Sequence, residues 1–410
     1  MSIKLRENKR SVLLLINFFN DVDHSAPLIL ELLEREFFVH IICLTRFDIS
    51  ADLRIQHFRS WPNFTLHPLH LLPRSNARSN KTSAGLGLGR KIIRELLFNK
   101  IWGILFLSFY RINAVIFTWG RPRSKGLQRR VFLAADLLSL PTLCIPHGQN
   151  IYINYDVNKD IKEYYRENGQ WPNFEDRNEF TKYVVQTNRH RRQHIDWGMH
   201  PGNVFAWGSL RFDPEWISYN FRLYQKSGRL YQDNLGYPTR IVFFLPHWRY
   251  NVDSGAVLQL LTFLLDQLED SFVIIKGHTR GDCISDEDIK TLSMNGNVAI
   301  NSPVESTPLI EWANVVINFG SSIALEAIVK QKTVIFPYYL HSNQTIFDNC
   351  TAVMACESDE AVLNAINQPR SPHEDIESRV IVENEVFNND QTHPNIAHHY
   401  ADHLERAIDS

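Results

Sequence analysis

Apolar runs recur along the chain and alternate with amphipathic stretches. Val12 to Phe18 reads as a buried strand, Ala26 to Glu36 carries a helical pattern, and Phe38 to Leu44 predicts a second strand. The same alternation returns at Ala114 to Thr118, a helix through Leu127 to Leu138, and Thr142 to Ile145, then at Tyr183 to Gln186 and Val204 to Trp207. Strands that are apolar throughout and separated by helices predict a parallel sheet covered on both faces. The pattern breaks over Gly208 to Pro238, which is polar and rich in aromatics. It resumes at Ile241 to Leu245, a helix over Ala256 to Leu268, Phe272 to Lys276, Val315 to Asn318, Thr333 to Phe336 and Ala352 to Cys356. The expected organisation is an α/β chain with two Rossmann-like domains, 1–207 and 238–370, joined by a connection over 208–237. A helical tail over 371–410 follows, with Pro394 to Ala407 expected to fold back onto the first domain.

Composition narrows the class of protein. At 410 residues, 44% hydrophobic and 21% charged, the chain has enough apolar material for two cores and is too polar to be membrane-embedded throughout. The five cysteines are scattered, without CxxC spacing, so structural zinc and a disulfide framework are not expected and a reducing cytoplasm fits. The N-terminal MSIKLRENKR runs into a short apolar stretch with no small-residue cleavage site, and is read as the approach to a first strand. His190 with His194, and His399 with His403, are four apart, but neither pair has the glutamate of an HExxH site, so no metal is expected.

The chain's net charge is −2, and one segment departs from that near-balance. Arg74 to Arg130 holds thirteen Lys or Arg and one acid, Glu95, and encloses the apolar, aromatic run Leu96 to Tyr110. Basic flanks around an aromatic helix predict an element on an anionic membrane surface; a buried helix with a solvated basic face gives the same pattern. Nucleic acid is not expected, because no recognition motif accompanies the charge. The GLGLG run at Gly85 to Gly89 lacks GxGxxG spacing and a preceding strand.

Four stretches fall at predicted C-terminal strand ends, where open α/β sheets bind ligands. IPHGQN places His147 on a turn, where an imidazole can take a proton from an attacking hydroxyl or simply bond within its loop. LPHWRYNVD offers His247 and Arg249 to a substrate's charge and Trp248 to a ring. IIKGHTRGD clusters Lys276, His278 and Arg280, suited to a pyrophosphate. VVINFGSSIALEA runs a strand through Gly320 into Ser321 and Ser322 at a helix N-terminus, where backbone donors and hydroxyls can hold an anion, with Glu326 one turn on toward a ribose hydroxyl. Each stretch alone is also an ordinary loop or capped turn.

In order, the HG, GSxRFD, PxWR, KxH and GSSxALEA motifs resemble bacterial surface-polysaccharide transferases of the GT-B architecture. The nearest resemblance is to those using cytidine-activated donors, the CDP-glycerol glycerophosphotransferase group and bacterial sialyl- and Kdo-transferases. It implies two Rossmann-like domains with parallel sheets facing across a cleft, C-terminal helices packing back on the first domain, and a nucleotide-activated donor with no metal or other cofactor. The implied acceptor is a glycan hydroxyl, lipid-linked, at the inner face of the cytoplasmic membrane. His147 would be the base, with Arg249 and His278 also catalytic. His247, Lys276, Arg280, Gly320, Ser321, Ser322 and Glu326 would hold the nucleotide and its phosphates. GSLRFD, Gly208 to Asp213, would lead from one domain to the other. Thr279 stands where the family has proline and His247 where it has threonine, so the donor stays open. Two other readings share the architecture: a nucleotide-sugar epimerase, and a non-catalytic membrane-associated assembly factor.

Overall fold

Five consecutive apolar residues, Val12 to Ile16, follow Ser11 in the first strand, β1 (Ser11–Ile16), with every position buried. A strand apolar on both faces needs cover on both, and it lies inside a parallel sheet. The computed structural model describes residues 10–17, 19–44, 49–67, 100–123, 126–153, 159–248, 251–278, 284–294, 297–300, 302, 304–348, 350–369, 376–388 and 395–410. Gly85–Gly89, Arg249, Thr279 and Arg280 lie outside these residues, as does all of the basic stretch from Arg74 to Asn99.

The described chain divides into two compact units. The first comprises residues 1–148, 173–213 and 387–410; the second comprises 149–172 and 214–386. In the first, β1 is followed by β2 (Phe38–Cys43), β3 (Phe64–His67), β4 (Ala114–Thr118), β5 (Thr142–Ile145), β6 (Lys182–Val185) and β7 (Val204–Ala206). They form a seven-stranded sheet in the order β3-β2-β1-β4-β5-β6-β7, with every pairing parallel. The second unit holds β8 (Thr239–Phe244), β9 (Ser271–Lys276), β10 (Val298–Ile300), β11 (Val315–Ile317), β12 (Thr333–Pro337) and β13 (Met354–Cys356). These are again parallel, in the order β10-β9-β8-β11-β12-β13. Both orders reverse beside the first strand of the unit, between β1 and β4 and between β8 and β11. Each reversal opens a crevice at the C-terminal strand ends.

Two edge strands go unread in the sequence, for a physical reason. β3 buries only Phe64 fully and β10 is three half-buried residues, so neither carries a continuous apolar run. The first helix starts earlier than its pattern predicts. It spans Phe19–Glu34 with Pro27 inside, whereas a proline usually marks a first turn.

The C-terminal helix Ile396–Asp409 packs on Phe19–Glu34 within the first unit. Arg35 pairs with Glu31 at 2.5 Å and with Asp402 at 2.6 Å, and Arg10 pairs with Asp409 at 2.8 Å. The GSLRFD stretch is the anchor. The Tyr400 hydroxyl donates to the Gly208 carbonyl at 3.0 Å, and Asp213 accepts the Ile396 N–H at 3.0 Å. Both histidine pairs set aside above serve packing: His194 Nδ1 lies 2.8 Å from the His190 carbonyl, and His403 stacks on Trp207 at 4.3 Å. Among the described residues no helix is long and apolar enough to cross a membrane.

Candidate functional site

The second unit brings three of the sequence motifs to neighbouring strand ends. β9, β8 and β11 are adjacent, and β9 ends on Lys276, with His278 two residues further. His247 follows β8, and its ring lies 5.0 Å from that of His278, tilted by 53°. Trp248 is half-buried against the apolar core of the unit. Lys276 donates from Nζ to the Ser302 carbonyl at 2.8 Å, using one of its three donors. Burial pulls its pKa down, and the carboxylate of Glu305 opposes that shift.

After β11 the chain turns sharply. The Asn318 N–H donates to the Ile335 carbonyl at 3.0 Å, while its buried side chain accepts the Ser321 N–H at 2.7 Å. That is an Asx turn, and it occupies a donor that the sequence pattern leaves for an anion. Gly320 has φ +78°, and a Cβ there would meet Thr345 Cγ2 at 3.2 Å and Tyr152 Cε1 at 3.3 Å. Both the backbone conformation and the close approach call for glycine. The helix that follows, Ile323–Val329, has only seven residues, so an anion here depends on side-chain donors more than on a dipole. Ser321 is exposed and Ser322 half-buried. Glu326 is buried and accepts a hydrogen bond from Thr307 Oγ1 at 2.7 Å, on the helix Ser306–Trp312.

A strap that no motif marks crosses the same strand ends. The Asp253 N–H donates to the Leu340 carbonyl at 3.0 Å, the Ser342 N–H to Asn251 at 3.2 Å and the Asn251 amide to Asn343 Oδ1 at 2.9 Å. On its other side the Ile153 N–H donates to Gln344 at 3.0 Å and the Ile346 N–H to Ile151 at 2.9 Å. His341, Asn343 and Thr345 are buried in this strap. His341 Nδ1 accepts the Asn343 N–H at 3.3 Å, which places the proton of a neutral ring on Nε2; burial holds its pKa down. The polar run HSNQT reads as a plain loop in sequence, so only its hydrogen bonding reveals it.

In the first unit His147 follows β5. Asn20 donates from Nδ2 to its carbonyl at 2.6 Å, and the Trp119 ring meets its imidazole edge-on at 4.6 Å. The Asp21 carboxylate accepts from Thr118 Oγ1 at 2.7 Å and from the Asn17 N–H at 2.7 Å, joining the ends of β1 and β4. Beside these stands a charged cluster absent from the sequence reading. Asp23 lies between Arg54, at 2.5 Å, and Arg211, at 3.0 Å, and Arg54 also grips Asp52 at 2.7 Å. Burial alone would raise the Asp23 pKa, but the charges of Arg211 and Arg54 bring it down to about 2. His24 is pulled down to about 3, first by burial and then by the Arg211 charge, with His147 adding to the same effect. Arg211, the arginine of GSLRFD, is thus a partner of Asp23.

No protein-family model matches the chain, and a search of curated proteins finds no match. Solved structures do match over nearly the whole length. The UDP-GlcNAc 2-epimerase of Neisseria meningitidis bound to UDP-GlcNAc is 14% identical, with a TM-score of 0.57, covering 97% of this chain and all of that one. The UDP-N-acetylglucosamine 2-epimerase of Rickettsia bellii is 13% identical, with a TM-score of 0.59 and 98% of each chain covered. A glycosyltransferase of Rickettsia africae is 15% identical, with a TM-score of 0.52, covering 98% of this chain and 99% of that one. At these identities the likeness is one of fold. The two parallel, helix-covered sheets give this chain a GT-B-like fold.

Proposed function

We propose that the chain is an enzyme of nucleotide-sugar chemistry whose second unit holds the donor. The carrying observation is the convergence of Lys276, His278, His247 and the Asn318–Ser322 turn on the adjacent ends of β9, β8 and β11. Cationic and hydroxyl donors gathered at a strand-order reversal suit a pyrophosphate. In the transferase form of this reading, an acceptor hydroxyl attacks the activated carbon. His147 takes its proton, and the bond to the donor phosphate breaks. Lys276 and His278 stabilise the departing phosphate. The motif order favours this form, with a cytidine-activated donor and a lipid-linked surface glycan as acceptor; Arg249, Arg280 and Glu326 keep the roles that order implies.

Epimerisation of a nucleotide sugar is the second reading. The solved structures of like fold favour it, since most of those named bear that activity. The helix Phe19–Glu34, which reaches the His147 carbonyl through Asn20, also carries Asp21, Asp23 and His24, and the charges of His24 and His147 interact, so acids and a second histidine stand on the element beside the proposed base.

One experiment separates the readings: incubation with CMP-, CDP- and UDP-activated sugars, with and without glycan acceptor. Isomerised sugar without acceptor and without nucleotide release selects epimerisation. Release that requires acceptor selects transfer. Absence of turnover and of nucleotide-induced thermal stabilisation overturns both and leaves the assembly-factor reading.

A further inference from the structure

We infer that the outward face of the helix Lys100–Phe109 is a docking surface for an anionic lipid bilayer. The helix is apolar on its outward side as well as on its inward one. Its inward side is fixed by Gly103, where a Cβ would come within 2.9 Å of Ala134 Cβ on the helix Leu127–Leu137, and by Leu107, which is 1% exposed. Spaced by four residues, Ile101, Leu105 and Phe109 share one face. They turn outward, 58%, 63% and 75% exposed, and Leu137 on the neighbouring helix is 62% exposed. Isolated exposed apolar residues are common, but three in register on one helix face form a stripe that no other described residue covers.

Charge identifies the occupant. From Lys100 to Leu137 the sequence has seven Lys or Arg and one acid, Asp136, and Arg111, Arg121 and Arg129 are exposed. A second copy docking about a two-fold axis would bring this excess of positive charge against itself. An anionic membrane surface satisfies both the apolar stripe and the charge, by shallow insertion of the first and attraction of the second. Ten residues of helix lie along a surface and do not span it.

The test is co-sedimentation of the full chain with vesicles of phosphatidylcholine alone and of phosphatidylcholine mixed with phosphatidylglycerol. Binding is expected only to the mixed vesicles, weakening as salt rises. The doubly substituted L105D/F109D variant should bind at least tenfold more weakly with an unchanged melting temperature, because both side chains are already exposed. Arg111→Glu and Arg129→Glu should each weaken binding about fivefold or more. Equal binding to both vesicle types, none to either, or undiminished binding by L105D/F109D overturns the inference. So does a concentration-dependent dimer that L105D/F109D abolishes, which assigns the face to a second copy. Each readout is independent of nucleotide turnover.

Discussion

Asn318 Oδ1 accepts the Ser321 N–H at 2.7 Å, so the serine pair is held by a buried carboxamide one residue beyond β11. The bond sets the turn before any ligand arrives. Replacing Asn318 with Ala should therefore cost about 1–2 kcal/mol in urea unfolding. It should also diminish nucleotide-induced thermal stabilisation beyond what the lower stability explains. An unchanged nucleotide shift in a destabilised Asn318→Ala protein would show that the turn has no part in binding.

Gly320→Ala tests the same turn from outside. An alanine must adopt φ +78° and push on Thr345 and Tyr152, both within 3.3 Å of its Cβ. The expected loss is about 1–3 kcal/mol, measured as a lower melting temperature and unfolding midpoint. The Tyr152–Thr345 bridge lies against this glycine, so protection from hydrogen exchange of the Ile153 and Ile346 amides, which donate across it to Gln344 and Ile151, should fall with it.

Lys276→Met removes the charge and keeps the stem. With one donor to Ser302 lost, the unliganded protein should change by about 1 kcal/mol or less. Nucleotide diphosphates should bind roughly tenfold or more weakly, as expected for a lost charge-assisted contact. Titration calorimetry reads both affinity and stoichiometry. His147→Ala, in the other unit, should abolish turnover while leaving nucleotide affinity within about twofold.

Acid should destabilise the first unit in a definite window. His24 and His194 each titrate near 3 in the fold, both chiefly through burial, against about 6.5 in an unfolded chain. Between those values the unfolded chain binds protons that the fold refuses. Stability therefore falls as pH drops below about 6.5, by up to ~1.4 kcal/mol per pH unit per histidine. His24→Gln should make the decline between pH 6 and 4 shallower by about half. Asp23, lowered to about 2, adds its own loss only below about pH 4, because its carboxylate stays ionised above that.

Much of the scaffold was legible as pattern. β1, β4, β5, β8, β9, β11 and β12 are short apolar runs, and burial on both faces dictates such runs. Edge strands β3 and β10 lack that signature because a sheet edge needs less apolar cover. The strand-end motifs were readable because βα turns concentrate glycine, serine and histidine. The Asp23–Arg54–Arg211 cluster was not, since its members are 31 and 188 positions apart from one another along the chain, at 23, 54 and 211. Nor was the strap of His341, Asn343 and Thr345, whose polar residues resemble a solvated loop until their partners are seen.

By itself, then, the sequence determined the doubly repeated strand–helix rhythm and the four turns at which chemistry can sit, because both are local consequences of side-chain period and turn residues. Only the tertiary structure decided that β9, β8 and β11 lie side by side, that Asn318 occupies the Ser321 N–H, and that Arg211 serves Asp23. Those depend on strand order and long-range contact, and one-dimensional spacing carries neither.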